Sequence, residues 1–143
     1  MRPTKENRKN KSRSIRVLII DDHEVVRDAL ASFLGNASDI EMVGEAGNGR
    51  DGIELAKELV PDVIVTDINM PDIDGIEATR TICSLLPDVR VIGFSMDGGK
   101  PMVDAMLAAG ASDHIRKGEN IKELLAVIRK GSLSRTPIRE QTR

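Results

Sequence analysis

The chain has 143 residues, 40% of them hydrophobic and 31% charged, which is enough for one domain with a proper core. Phe33 and Phe94 are its only aromatic residues, so the core must be aliphatic and base-stacking surfaces for single-stranded nucleic acid are not expected. The net charge of −2 is unevenly spread: residues 1–14 carry six basic groups and one acidic, residues 131–143 three and one, and residues 15–130 hold 12 basic against 21 acidic, a surplus that repels nucleic acid.

Met1 to Ser14 is a polar lead without periodicity, read as a solvated, disordered arm. Its basic start has no apolar stretch behind it, so no secretory signal is expected and the cytoplasm is the expected compartment. Ile15 to Ile20 (I-R-V-L-I-I) reads as a buried strand ending on Asp21-Asp22. From His23 the pattern turns helical, with Val25, Val26, Ala29, Leu30, Phe33 and Leu34 as its apolar stripe and Gly35 as its stop. Ile40 to Glu45 is a weaker strand whose Glu41 and Glu45 suit a sheet edge. Gly47-Asn48-Gly49 turns the chain into a second helix marked by Ile53, Ala56, Leu59 and Val60.

Val63-Ile64-Val65 is a third strand, β-branched throughout and suited to burial on both faces. It ends on Asp67, where the chain enters a loop closed by Met70-Pro71 and Asp74-Gly75. A third helix comes next, with Ile76, Thr79, Cys83 and Leu86 on one face and Pro87 at its end. Cys83, the single cysteine, excludes an internal disulfide and reads as core filler. Val89 to Phe94 is a fourth strand followed by Ser95, and Gly98-Gly99 leads into a helix through Met102, Ala105, Met106 and Ala109. His114 and Ile115 form a short fifth strand ending at Lys117-Gly118. The last helix begins near Glu119 or Asn120 and carries Ile121, Leu124, Leu125 and Ile128, with Arg129-Lys130 at its dipole's negative end. Gly131 to Arg143 reads as a polar tail without a pattern, and no run approaches the ~20 apolar residues of a membrane span.

Five strands alternating with five helices argue for an α/β fold with a doubly wound parallel sheet. In such a sheet ligands gather at the carboxyl ends of the strands. Asp21 and Asp22 follow the first strand, Asp67 the third, Ser95 the fourth and Lys117 the fifth, so all five reach one edge. Three close carboxylates raise one another's pKa values, and a divalent cation relieves the repulsion. Hard oxygen ligands favour Mg²⁺, which bridges protein carboxylates to phosphate oxygens. A carboxylate so placed can attack phosphorus, with Lys117 neutralising charge and the Ser95 hydroxyl donating to a phosphoryl oxygen. Asn69 is expected to offer its backbone carbonyl to the metal. His23 is read as a first-turn surface group.

The stretches I-I-D-D-H-E-V-V-R (19–27), D-V-I-V-T-D-I-N-M-P-D-I-D-G (62–75), F-S-M (94–96) and G-A-S-D-H-I-R-K-G (110–118) resemble the receiver domains of two-component response regulators, most closely those that precede a LuxR/NarL-type helix-turn-helix. The resemblance covers residues 15–130. It implies a flavodoxin-like sheet of order 2-1-3-4-5, with Asp67 as phospho-acceptor loaded from a sensor histidine kinase or phosphotransfer protein. It further implies Asp22 and Asp67 as direct Mg²⁺ ligands, Asp21 as support through water, and Ser95 as the switch hydroxyl. Such a domain is a stoichiometric acceptor rather than an enzyme. Its partners include a second copy, through the face of the fourth helix, fifth strand and fifth helix or that of the first and fifth helices.

Two positions, His114 and Gly118, depart from the family pattern. The switch position three residues before Lys117, usually aromatic, is His114, a smaller and titratable ring. Gly118 stands where many receivers have proline, so a looser lysine loop is expected, and Met96 is bulky enough to restrict access to the phosphoryl group. Arg135 to Glu140 faintly resembles the opening of a LuxR-type output domain; contact with DNA is expected only through an output domain outside this chain.

Two rival readings stand beside this one. A pseudo-receiver would share the fold and dock partners without phosphorylation. Gly47-Asn48-Gly49-Arg50-Asp51-Gly52 also fits the dinucleotide fingerprint G-x-G-x-x-G, with Asp67 as the acidic residue downstream. That fingerprint leaves Asp21, Asp22, Ser95 and Lys117 without a role.

Overall fold

The five apolar runs are all strands, and they lie side by side in one parallel sheet. The computed structural model describes residues 14–96, 98–118 and 121–141, with side chains up to residue 131. In chain order the elements are β1 (Ile15–Ile20), α1 (Glu24–Gly35), β2 (Ile40–Ala46), α2 (Gly49–Leu59), β3 (Val63–Thr66), α3 (Gly75–Leu85), β4 (Arg90–Ser95), α4 (Lys100–Ala109), β5 (Asp113–Arg116) and α5 (Ile121–Gln141). The strand order is β2-β1-β3-β4-β5, with every pair parallel. The fold is therefore the flavodoxin-like α/β arrangement expected from the sequence, with β2 on the edge.

Side chains of a strand alternate between the two faces, and here both faces are covered. Val17, Ile19, Val63, Val65 and Ile92 face Leu30 and Leu34 of α1 and Leu124 and Ile128 of α5. Leu18, Ile20, Ile64 and Val91 face Ala56 of α2, Ile82 of α3 and Met106 of α4. Two-sided burial explains why the strands read as continuous apolar runs rather than alternating ones.

Helix ends obey local chemistry. Asn48 caps α2 by accepting the Asp51 N–H at 2.8 Å, and Asp74 caps α3 by accepting the Glu77 N–H at 2.9 Å. Gly110 ends α4 at φ 120°, where a side chain would meet Cys83.

Some expectations need correcting. The α1 stripe is narrower than its spacing suggests: Leu30 and Leu34 are buried, but Ala29 is exposed and Val25 is 80% exposed, because only one edge of the stripe meets the sheet. Val60 is not part of α2; it is the left-handed residue that ends it, at φ 45°. The inner face of α3 adds Ala78 and Ile82 to the buried Thr79. The stretch read as a patternless tail continues α5 as helix to Gln141. Gly131 and Pro137 are poor helix residues and no apolar stripe marks the extension, but a helix already nucleated gains one hydrogen bond per added residue. Gly131 lies over the Arg90 guanidinium, which occupies the space a side chain would take. The basic lead up to residue 13 and the start of the last helix at Glu119 or Asn120 lie outside the described residues.

Candidate phosphoryl-acceptor site

The residues singled out by sequence meet at the carboxyl edge of β1, β3, β4 and β5. Asp21 directly follows β1, its N–H bonded to the Ala46 carbonyl of β2's end at 3.0 Å. Asp67 directly follows β3, its N–H bonded to the Ile20 carbonyl at 2.8 Å. These two backbone bonds place both carboxylates side by side, and both are buried, at 1% and 4% exposure. The Lys117 N–H bonds the Ser95 carbonyl at 2.8 Å, which fixes the lysine loop to the end of β4.

Lys117 Nζ stands 2.8 Å from Asp21 Oδ2 and 3.5 Å from Asp67 Oδ2. One ammonium thus serves two buried carboxylates, and Asp21 is the nearer. Asp67 Oδ1 accepts the Ile68 N–H at 2.8 Å. Burial pushes the Asp67 carboxyl above the ordinary carboxylate range, and the Asp21 charge pushes it further; Lys117 and the Ile68 N–H pull it back in part. Asp22 is partly exposed beside them, and Asn69 lies exposed in the loop after Asp67.

The donor set suits a small hard cation. Ligand atoms of Asp21, Asp22, His23 and Asp67 all lie within 4.8 Å of one another. Asp21 Oδ2 is close to Lys117 but receives no well-directed hydrogen bond, and buried Asp22 Oδ1 receives none either. Buried carboxylate lone pairs without a directed donor are costly in a finished core and fit a site that takes a positive ion.

Ser95 ends β4 fully buried, and its Oγ is 3.0 Å from His114 Nε2. The β4–β5 register sets Gly93 opposite His114, and a Cβ at position 93 would stand 2.9 Å from the ring. The glycine therefore seats the imidazole, and the ring and the Ser95 hydroxyl touch directly. Gly118 has open space around it. Met96 is 69% exposed and borders an apolar depression with Val25, Phe94, Lys117 and Ile121.

Two contributors were not legible in the sequence. His23 is exposed, as a first-turn surface group should be, but its ring also reaches back over the carboxylates, with Nδ1 3.2 Å from both Asp21 Oδ1 and Asp22 Oδ1. Arg27, one turn into α1, donates to the Asp21 carbonyl at 2.7 Å and reaches Glu45 Oε1 at 3.7 Å, tying the acidic turn to α1 and β2. Their closeness in sequence to Asp21-Asp22 was the available signal. The glycine fingerprint dissolves into packing. A side chain at Gly49 would strike the Ile73 carbonyl and one at Gly52 would strike Ile20, while Asp67 faces the other carboxylates.

Residues 17–129 match the family model described as response regulator receiver domain. The chain is 45% identical over 118 residues to the transcriptional regulatory protein LiaR of Bacillus subtilis (strain 168), covering 82% of this chain and 56% of LiaR. It thus spans little more than half the length of that relative. Among solved structures, the signal receiver domain of NarL from Mycobacterium tuberculosis superposes with a TM-score of 0.79 at 29% identity, covering 83% of this chain and 96% of that one. The CheX-CheY-BeF3-Mg+2 complex from Borrelia burgdorferi gives 0.74 at 26% identity, covering 78% of this chain and 84% of that one.

Proposed function

The chain belongs to the response regulator receiver domains of two-component signalling, and from that premise we propose that Asp67 is its phospho-acceptor. The observation that carries this is the pairing of a buried Asp67 carboxylate, raised in pKa by burial, with the Lys117 ammonium 3.5 Å away at an edge that Asp21 and Asp22 complete. A carboxylate with weakened solvation and a fixed cation beside it is prepared to attack phosphorus. One Asp67 oxygen forms the new P–O bond as the P–N bond of a kinase or phosphotransfer phosphohistidine breaks, and the freed imidazole is the leaving group. The Ile68 N–H holds Oδ1 and so orients the carboxylate. Lys117 offsets charge on the phosphoryl oxygens.

Asp22 and Asp67, the Asn69 carbonyl, and Asp21 through water would hold Mg²⁺, an assignment in keeping with the Mg+2 named in the CheX-CheY complex. When bound, Mg²⁺ supplies further neutralisation of phosphoryl charge. After transfer the Ser95 hydroxyl exchanges its His114 contact for a phosphoryl oxygen. That exchange moves the end of β4 and alters the α4–β5–α5 face, which a partner or second copy reads. Each chain accepts one phosphoryl group at a time and loses it to water, so it is not an enzyme acting on a separate substrate.

We place residues 15–130 as the receiver and take residues 131–143 as leading toward an output domain. That LiaR is a transcriptional regulatory protein supports regulation of transcription as the output. No described helix is long and apolar enough to cross a membrane. Incubation with Mg²⁺ and acetyl phosphate, followed by a phosphate-affinity gel, should give a retarded band that is absent in Asp67→Asn. A pseudo-receiver would give no band, and a band that persists in the variant would move the acceptor elsewhere.

A further inference from the structure

His23 stands at the acceptor edge but takes no part in the phosphoryl transfer. It occupies the cap position ahead of α1 in an extended conformation, yet its side chain makes no capping hydrogen bond. The imidazole is turned to the carboxylates instead, with Nδ1 3.2 Å from Asp21 Oδ1, 3.2 Å from Asp22 Oδ1 and 3.9 Å from Asp67 Oδ2. The backbone assists: the His23 N–H donates to Asp21 Oδ1 at 2.9 Å, which holds the turn that aims the ring. The nitrogen and one oxygen each from Asp21, Asp22 and Asp67 all lie within 4.8 Å of one another, slightly wider than the ~4.4 Å that two ligands with bonds of about 2.2 Å span across one ion, so a small movement brings Nδ1, Asp22 and Asp67 onto it with Asp21 acting through water. Asp22 Oδ1, a buried atom of the set, receives no directed hydrogen bond, whereas Asp21 Oδ2 already has the Lys117 ammonium 2.8 Å away.

We infer that His23 Nδ1 is a ligand of the site and makes it select first-row transition divalent ions, such as Mn²⁺ or Co²⁺, over Mg²⁺. The inference rests on the reading of Asp21, Asp22 and Asp67 as the cation site. The physical basis is donor softness. Mg²⁺ takes oxygen and water and gains little from imidazole, whereas affinity for nitrogen-containing sites rises along Mn²⁺, Fe²⁺, Co²⁺ and Ni²⁺. Charge agrees: three carboxylates are balanced by Lys117 and one divalent ion, so a neutral imidazole is the ligand that leaves the site uncharged. His23 is largely exposed, so its ring can leave when Mg²⁺ binds, and the preference costs the fold little.

The test uses the whole chain. Calorimetric titration with Mn²⁺ and with Mg²⁺ should give tighter Mn²⁺ binding, and His23→Ala should weaken Mn²⁺ by about 10–100-fold while leaving Mg²⁺ nearly unchanged. Pulsed electron paramagnetic resonance of the Mn²⁺ form should show histidine nitrogen modulation that disappears in His23→Ala. It should persist in His114→Phe, the chain's only other histidine. An unchanged ratio of the two affinities in His23→Ala, or a wild-type spectrum without histidine nitrogen, overturns the inference while the cation site stands. Binding of both ions that is unaffected by Asp67→Asn, or absent altogether, overturns both.

Discussion

The two ends of the same sheet are built on opposite principles. At the amino end the strand charges close on nearby groups. Asp62 Oδ2 accepts the Arg16 N–H at 2.9 Å, and the Asp62 N–H returns a bond to the Arg16 carbonyl at 2.9 Å. The Arg16 guanidinium donates to the Leu59 and Val60 carbonyls, where α2 ends, and so complements the helix dipole. Arg90 likewise reaches α5, donating to the Val127 and Ile128 carbonyls. At the carboxyl end two buried carboxylates share one lysine with Asp22 beside them, and two buried oxygens lack a directed donor. The amino end and the aliphatic core thus offset a carboxyl end held in an unfavourable electrostatic state, which is the state a bound cation relieves.

Four substitutions probe that contrast. The largest effect is expected from Lys117→Met, which leaves Asp21 and Asp67 buried together without a cation. A loss of about 3 kcal/mol at neutral pH is expected in urea unfolding, shrinking in acid as the carboxylates protonate. A loss that does not shrink would mean that Lys117 matters for packing rather than charge. Next comes Asp62→Ala at the other end, which removes the acceptor of the Arg16 N–H. It should cost about 1–3 kcal/mol by the same measurement, with acetyl phosphate labelling unimpaired.

Asp67→Asn should move stability in the opposite direction. The folded pKa of Asp67 is raised, so its ionised form is disfavoured by folding. The favourable neutral form is fully present below the ordinary carboxylate range and is lost as pH rises through the raised value. The variant should therefore melt above wild type at neutral pH, and the gap should close on acidification. A lower melting temperature at neutral pH would undo the contrast between the two ends. The smallest effect is expected from Asp39→Asn. Arg129 pairs with Asp39 at 2.7 and 2.8 Å, joining α5 to the turn before β2, and holds its carboxyl below the usual range. A lowered pKa contributes stability above the ordinary carboxylate value that is lost as pH falls through the folded one. Both groups are largely solvated, so the change should be small and vanish in high salt.

Much of this was legible in the chain. The strands β1, β3 and β4 announce themselves because burial on both faces forces unbroken apolar runs, a purely local signal. Asp21, Asp67, Ser95 and Lys117 were legible because each sits at the carboxyl end of such a run, and a parallel sheet brings those ends to one edge. The α1 stripe misled because periodicity shows which residues share a helix face but not how much of that face the sheet covers; Val25 lies beyond the covered part. The helical run past residue 130 was illegible because it carries no stripe at all.

Element order, the aliphatic core and the identity of the charged groups at the acceptor edge are written in the order of the residues alone. Three further features came only with the folded chain. Lys117 stands closer to Asp21 than to Asp67, the His114 ring reaches the Ser95 hydroxyl over Gly93, and the exposed His23 ring reaches the Asp21 and Asp22 carboxylates. The reason is one of range. Hydrophobic period and capping act over a few neighbouring residues, whereas a distance between side chains on different strands depends on strand order, register and the backbone bonds that aim each turn.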